Sequence, residues 1–348
     1  MIRVSKVLLC LSVLCLLVSQ SAAQRGRDSI EIVRPKDYQP VALKSSPELQ
    51  AILHRAVEEV IKSYPEGSFK PDDVAATLFD LRNPNELALA EIRGEHRFYS
   101  ASVVKMYYMA ALQQQVQDGK ITLTKELERA QRDMIVDSSN DATQYILDVL
   151  TDTSNGPDLS PEEFTPYQYK RNRVNRYFSS MGYANINVNQ KTFCEDAYGR
   201  EQQSRNYPTN AANRNMLTTN ATARLLAEIA LGRTVNAERS QMMMDLMKRD
   251  PFAANQDPDS QATAFSGKAL IDRDLKGAGL WSKAGWVTRE RHDVAYIETP
   301  GGLKFVIAVF TQKHGNDKSL IPAIVGKVID EMSVVKQSIQ STKGAKVI

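Results

Sequence analysis

Strand-like segments occur only near the two ends of this 348-residue chain, while the long stretch between them is helical almost throughout. Five apolar runs rich in β-branched residues have the length and the bounding turns of strands. They are Val74 to Leu81, Leu87 to Ile92, Leu280 to Val287, Asp293 to Glu298 and Leu303 to Thr311. Apolar residues at helical spacing predict one helix after the cap residue Ser46 and another from Leu320 to about Ile339. The order predicts an α/β (α+β) fold, in which a five-stranded antiparallel sheet is flanked by the terminal helices and an all-helical lobe is inserted in its middle.

The same pattern predicts how the chain is divided. We expect a single domain over residues 45–341, with an α/β lobe formed by 45–101 plus 275–341 and a helical lobe formed by 102–274. Residues 24–44 are mixed and polar, which indicates a loosely ordered lead-in. Within the helical block, Arg171, Arg173 and Arg176 make one helix locally basic, and we interpret this as a solvated face.

The N-terminus predicts the compartment. Arg3 and Lys6 precede a short apolar run that ends in small residues at Ala22-Ala23, the pattern of a secretory signal peptide over residues 1–23. The run is too short for a comfortable membrane span, so we expect a secreted or periplasmic protein with no stable membrane insertion after cleavage. Cleavage would leave Cys194 as the single cysteine, which excludes an internal disulfide.

Composition excludes several classes of function. A net charge of +3 does not favour nucleic acid as a partner. The histidines have no ligand spacing and the chain has no glycine-rich phosphate loop, so we expect no metal and no cofactor. A charged content of 24% and a hydrophobic content of 42% are typical of a globular protein, which we expect to be a monomer.

A candidate nucleophile lies where the helical block begins. Ser102 and Lys105 are separated by three positions at the start of an apolar helix, so both side chains share one face. A lysine with a lowered pKa can remove the serine proton, and the N–H groups at the helix start can stabilise an oxyanion. The same Ser-x-x-Lys spacing recurs at Ser333 and Lys336, but without an apolar helix after it, and we interpret that copy as helix surface.

Two further motifs accompany Ser102. Ser138 and Asn140 lie on a turn between two predicted helices, where Ser138 could pass a proton to a leaving nitrogen and Asn140 could hold a substrate amide. Lys283 lies on a predicted strand, where it could bind a carboxylate and help to keep Lys105 neutral. Gly285, two residues later, would let a substrate lie against the strand edge.

These three motifs, in this order, resemble the serine penicillin-recognising enzymes, and within them the class A β-lactamases. The resemblance covers nearly the whole chain after the signal peptide. It implies an acyl-enzyme on Ser102, proton transfer by Lys105 and Ser138, substrate binding by Asn140 and Lys283, and an oxyanion hole made by the N–H groups of Ser102 and Trp286. The substrate would be a β-lactam or a peptidoglycan stem peptide.

The chain also departs from the family pattern. Ala284 replaces the usual Thr or Ser, Trp286 replaces a small residue, and Ser138 follows Ser102 more closely than usual, which predicts an open cleft. The family's deacylating glutamate has no clear counterpart, and Glu201 is the nearest candidate. The first interpretation is an exported β-lactamase. The alternatives are a D-Ala-D-Ala carboxypeptidase or other penicillin-binding peptidase, and an inactive peptidoglycan-binding protein of the same fold.

Overall fold

The computed structural model describes residues 30–344 except 194–195, 211 and 255, so the predicted signal peptide and Cys194 lie outside the described residues. The strands are β1 Leu43–Ser45, β2 Val74–Asp80, β3 Leu87–Ile92, β4 Phe98–Tyr99, β5 Met216–Leu217, β6 Lys248–Arg249, β7 Gly279–Trp286, β8 Glu290–Glu298 and β9 Lys304–Gln312. The helices are α1 Pro47–Ser63, α2 Val104–Gln117, α3 Lys125–Ile135, α4 Asn140–Thr151, α5 Pro161–Arg171, α6 Arg173–Ser180, α7 Gly199–Arg205, α8 Thr219–Ala230, α9 Ala237–Met247, α10 Ser266–Asp272 and α11 Leu320–Gly344.

The main sheet has seven strands in the order β1-β3-β2-β9-β8-β7-β6. Its centre is the predicted antiparallel set β3-β2-β9-β8-β7, which confirms the fold class. The predicted count of five strands is too low, because β1 pairs parallel to β3 at one edge and β6 pairs with β7 at the other. These edge strands have three and two residues, too few to produce a period-two pattern in the sequence.

Two hydrophobic layers cover the sheet. The terminal helices α1 and α11 pack together on one face, and α10 joins them. On the other face α8 lies against β2, β8 and β9, and the helical part is built around α2. Helix α2 is buried continuously from Val104 to Gln115. Helix α10 contacts α11, and β6 extends the sheet by pairing with β7.

The polar lead-in packs more closely than its composition indicates. Ile32, Tyr38 and Val41 are buried, and the Tyr38 hydroxyl donates to the carboxylate of Glu228 at 2.9 Å. Residues 30–44 thus make specific contacts with the rest of the fold. Their three buried apolar side chains are spaced too irregularly to form a helix or strand pattern.

The helix predicted after Ser160 is interrupted. It ends at Arg171, and α6 begins at Arg173, with Asn172 between the two helices. No helix among the described residues is both long and apolar enough to cross a bilayer.

Candidate active site

Ser102 lies in a single 3₁₀ turn, Ala101–Val103, that leads directly into α2. Ala101 has a positive φ of 44°, which turns the chain sharply after β4. Ser102 is half-buried and lines a cavity of about 700 Å³ between the helical layer and the end of β7. The helix behind it is buried from Val104 to Gln115, so the turn that carries the hydroxyl has a rigid support.

Lys105, the second residue of α2 and one turn beyond Ser102, is completely buried. Its amine donates to the carbonyl oxygen of Ser138 and to Oδ1 of Asn140, the latter at 2.8 Å. The Ser138 hydroxyl lies 3.3 Å from the same amine. The structure thus brings Lys105, Ser138 and Asn140 together.

The turn that carries Ser138 has an unusual backbone. Ser138 has a φ of 58°, in the left-handed region, and the next residue caps α4, with the Ser139 hydroxyl accepting the N–H of Ala142 at 3.2 Å. The cap begins the helix at Asn140, so that Asn140 and Ser138 both face Lys105.

Lys283 reaches the same hydroxyl from the opposite side. Its amine is fully buried and lies 3.0 Å from Ser138 Oγ. Burial lowers the pKa of Lys283 well below its ordinary value, the positive charges of Lys105 and Arg249 lower it further, and Asp293 opposes them. Ser138 therefore lies between two amines, an arrangement suited to proton transfer.

Position 285 requires a glycine, because β7 closely approaches the turn that carries Ser102. A Cβ atom at Gly285 would lie 2.8 Å from the backbone nitrogen of Ser102 and 3.0 Å from that of Val103. Trp286 follows it, 57% exposed, and borders the cavity with Ala284. The strand edge and the start of α2 thus meet where the resemblance implies an oxyanion hole.

A buried histidine of β8 lies beside the place where β7 approaches the turn that carries Ser102. His292 pairs with Gly285 across the sheet, and its Nε2 lies 2.8 Å from the carbonyl oxygen of Tyr99. Its Nδ1 accepts the N–H of Thr311 at 3.2 Å, so the proton belongs on Nε2. Burial lowers the pKa of His292 to about 4, and the ring is therefore neutral at pH 7.

Several polar side chains of the cavity were not predicted from the sequence, among them Arg291 and Gln261. Arg291 lies opposite Trp286 in the hairpin, where it donates to the carbonyl oxygen of Ala264 at 2.9 Å and covers the ring of Phe265. Strand register could have placed Arg291 at the site. Gln261 belongs to a loop without any recognisable motif, and no sequence signal pointed to it.

Glu201 has a different environment. It is buried in α7, where Oε1 accepts from the Tyr167 hydroxyl at 2.9 Å and Oε2 accepts from Nη1 of Arg171 at 3.0 Å. Lys191 lies 3.5 Å from the same carboxylate. Among the described residues that line the Ser102 cavity, Glu201 does not occur. Its contacts are those of an ion-pair cluster that ties α5 to α7.

The basic helix face is likewise a set of ion pairs. Arg171 and Arg173 are buried, and Arg173 and Arg176 both contact the carboxylate of Glu31, at 3.3 and 2.7 Å. The interpretation as a solvated face is wrong, because the acidic partners come from segments distant in sequence. Within the described part of the chain, no group of three or more His, Cys, Asp or Glu side chains is arranged to hold a metal.

Comparisons with known proteins show the family and the fold of this chain. A model of the beta-lactamase enzyme family matches residues 53–331, whereas a search of curated protein sequences finds no match. A β-lactamase from Sphaerobacter thermophilus DSM 20745 superposes with a TM-score of 0.55 at 20% identity, over 82% of this chain and 97% of that chain. PBP-A gives a TM-score of 0.55 at 17% identity, over 84% and 99% of the two chains. A class A β-lactamase from Mycobacterium abscessus gives 0.54 at 16% identity, over 80% and 99%.

The structural similarity, at these low identities, establishes a common fold. The family model covers most of the chain, including every residue of the Ser102, Ser138 and Lys283 motifs. The chain therefore belongs to the beta-lactamase enzyme family and is a serine hydrolase of that fold.

Proposed function

We propose that this protein reacts with β-lactams by acylating Ser102. The observation that carries the proposal is the placement of the Ser138 hydroxyl between two buried amines, 3.3 Å from Lys105 and 3.0 Å from Lys283, in the wall of the cavity that contains Ser102. This arrangement can move a proton from the nucleophile to a leaving nitrogen. A mutant of the structural neighbour PBP-A was solved as an acyl-enzyme complex with penicillin G, which supports β-lactams as the ligand class.

The reaction divides into attack and protonation. Lys105 removes the Ser102 proton as the oxygen bonds to the lactam carbonyl carbon, and the N–H groups of Ser102 and Trp286 stabilise the oxyanion. The C–N bond then breaks, and the nitrogen takes a proton from Ser138, which regains one from Lys105. Lys283 attracts the substrate carboxylate. Asn140, held by Lys105, is placed to bind the substrate amide.

Hydrolysis of the resulting ester distinguishes two functions. A β-lactamase needs a base to activate water for attack on the ester. After a β-lactam has acylated the serine, the amine stays attached to the acyl group and blocks one approach of water to the ester. The described carboxylates of the cavity are Asp137, Asp257 and Asp259; Asp137 pairs with Arg132 at 2.9 Å and Asp259 with Lys318 at 2.5 Å.

The buried contacts of Glu201 favour slow deacylation, and hence the second candidate, a penicillin-binding D-Ala-D-Ala carboxypeptidase. In a peptide substrate the leaving D-alanine departs and opens the site to water, so the same machinery can turn over a stem peptide while a β-lactam adduct persists.

Intact-mass spectrometry tests both functions. The purified protein is mixed with a penicillin, and the mass of the protein and the loss of free drug are followed together. A lasting one-to-one adduct supports the peptidase, and drug loss over many turnovers with little adduct supports the β-lactamase. Ser102→Ala should form no adduct while unfolding at a temperature close to that of the wild type. No adduct and no drug loss in the wild type would refute the proposal and favour an inactive peptidoglycan-binding protein.

We also propose export through the signal peptide over residues 1–23. A mature protein that begins near residue 24 in the periplasmic or secreted fraction would support it, as measured by N-terminal mass analysis. An intact N-terminus in the cytoplasmic fraction would contradict it. Light scattering of the mature protein tests the expected monomer in the same preparation.

A further inference from the structure

Gln261 makes four hydrogen bonds at the edge of the active site. Its Oε1 accepts from the amine of Lys283 at 2.8 Å and from the backbone N–H of Ala284 at 3.1 Å. Its Nε2 donates to the carbonyl oxygens of Ile135 and Val136 at 3.2 and 3.0 Å. A flipped amide would place donors against donors and acceptors against acceptors, so the surroundings allow one orientation only.

The four partners lie on the two sides of the contact between Ser138 and Lys283. Ile135 is the last residue of α3 and Val136 is its C-cap, just before the turn that carries Ser138, and Lys283 and Ala284 lie in β7. Gln261 therefore connects the helical layer to the sheet at the place where the Lys283 amine and the Ser138 hydroxyl are 3.0 Å apart. An apolar side chain would remove all four bonds at once, whereas a carboxylate would keep the two that the oxygen accepts.

We propose that Gln261 is a positioning residue that holds the Lys283 amine against Ser138 for proton transfer and substrate binding. The inference rests on the proposed acylation of Ser102. The Gln261 oxygen and the Ala284 carbonyl oxygen, at 2.8 Å each, are hydrogen-bond acceptors that stabilise the ammonium form of Lys283. Because the amide is neutral, it does so without cancelling the charge that attracts a substrate carboxylate.

The protonation of Lys283 also depends on charged groups from every neighbouring element. Lys105 in α2 and Arg249 in β6 disfavour the ammonium form, while Asp293 in β8 favours it. The other charged side chains of the cavity wall are Asp137, Asp257, Asp259, Arg291 and Lys318. Substitutions of Gln261 leave all of these charged side chains in place, so a change in the titration of Lys283 reports on position 261 itself.

The test compares Gln261→Met, Gln261→Glu and the matched control Gln256→Met in the full mature chain. Gln256 lies in the same loop and donates to backbone carbonyl oxygens of Asp250 and Ala253, away from Lys283. The rate constant for Ser102 acylation by a chromogenic cephalosporin is measured against pH. In parallel, ¹³C NMR of labelled lysines follows the titration of Lys283 in the free protein, with the resonance assigned by Lys283→Arg.

Gln261→Met should slow acylation by about 10- to 100-fold, because a displacement of a reacting group by about 1 Å costs on the order of 100-fold. It should also move the basic limb of the pH profile down by about one pH unit, since the ammonium loses an acceptor. Gln261→Glu should move the same limb up, since a carboxylate favours the ammonium. Gln256→Met should match the wild type.

A basic limb that moves down in Gln261→Met and up in Gln261→Glu supports the inference, because a merely structural role would not move it in opposite directions. A basic limb unmoved in both folded variants, or equal damage from Gln256→Met, would overturn it. If the wild type forms no adduct, the proposed function fails. In that case the NMR titration decides about Gln261 separately, and an unchanged Lys283 titration in both variants overturns the positioning role.

Discussion

Replacement of Glu201 by glutamine separates a structural role from a catalytic one. The carboxylate lies in a cluster that contains two cations, Arg171 and Lys191, and one other carboxylate, Asp148, which is 2.6 Å from Lys191. The glutamine would turn a neutral buried cluster into one with an uncompensated positive charge. Its amide would also face Nη1 of Arg171, donor against donor. Breaking a buried ion pair costs about 3–5 kcal/mol, so we expect Tm to fall by roughly 5–10 °C.

The matched control is Asp152→Asn. Asp152 pairs with Lys170 at 2.5 Å in the same region, but the two side chains are 60% and 43% exposed. An exposed pair contributes only about 0–1 kcal/mol, and asparagine tolerates the left-handed φ of 51° at this position. We therefore expect a small change in Tm for this variant.

The assays are thermal unfolding and the rate at which a penicillin adduct on Ser102 is lost, both measured well below the Tm of every variant. If Glu201 is structural, the rate constant for deacylation stays within the same order of magnitude as the wild type. A base that activates water contributes about 10²- to 10⁴-fold. An unchanged Tm together with a deacylation rate reduced by about 100-fold or more would refute our reasoning and identify Glu201 as the base.

Three further predictions concern the nucleophile and its support. Gly285→Ala places a methyl group 2.8 Å from the Ser102 nitrogen, in contact with backbone that cannot move aside. The variant should acylate about 100-fold or more slowly than the wild type and lose about 1–3 kcal/mol in unfolding free energy. Acylation at the wild-type rate would contradict this prediction. The pKa of about 4 for buried His292 lies below its value of about 6.5 in the unfolded chain, so the unfolded state binds protons first and stability falls between pH 6.5 and 4. Denaturant unfolding should show a loss of about 3 kcal/mol over this range that His292→Gln abolishes, and an equal slope in the variant would exclude His292 as its source. Ser333→Ala, which removes a hydroxyl bonded to the Ile329 carbonyl oxygen within α11, should leave adduct formation unchanged, whereas any loss would restore the second Ser-x-x-Lys copy as a candidate.

Local sequence patterns predicted the helices and strands in which a hydrophobic period continues over many residues. Strand β3 has the predicted bounds, and Ser46 caps α1 by accepting the N–H of Leu49 at 3.2 Å. The short edge strand β6 escaped prediction, because two residues carry no periodicity. Arg171 was misread for a related reason: helical spacing shows which face a residue occupies, but not which charged group lies opposite that face.

The sequence by itself determined the order of the main helices and strands, the shared face of Ser102 and Lys105, and the positions of the motif residues Ser138 and Lys283. Each of these follows from spacing within one segment. Only the tertiary structure decided that Glu201 belongs to an ion-pair cluster, with Arg171 as a partner 30 positions away. It also brought Gln261 to Lys283 across 22 positions. Tertiary packing selects such partners, because a hydrogen bond between distant segments depends on how helices and strands pack together. This packing does not produce a periodic pattern in the sequence.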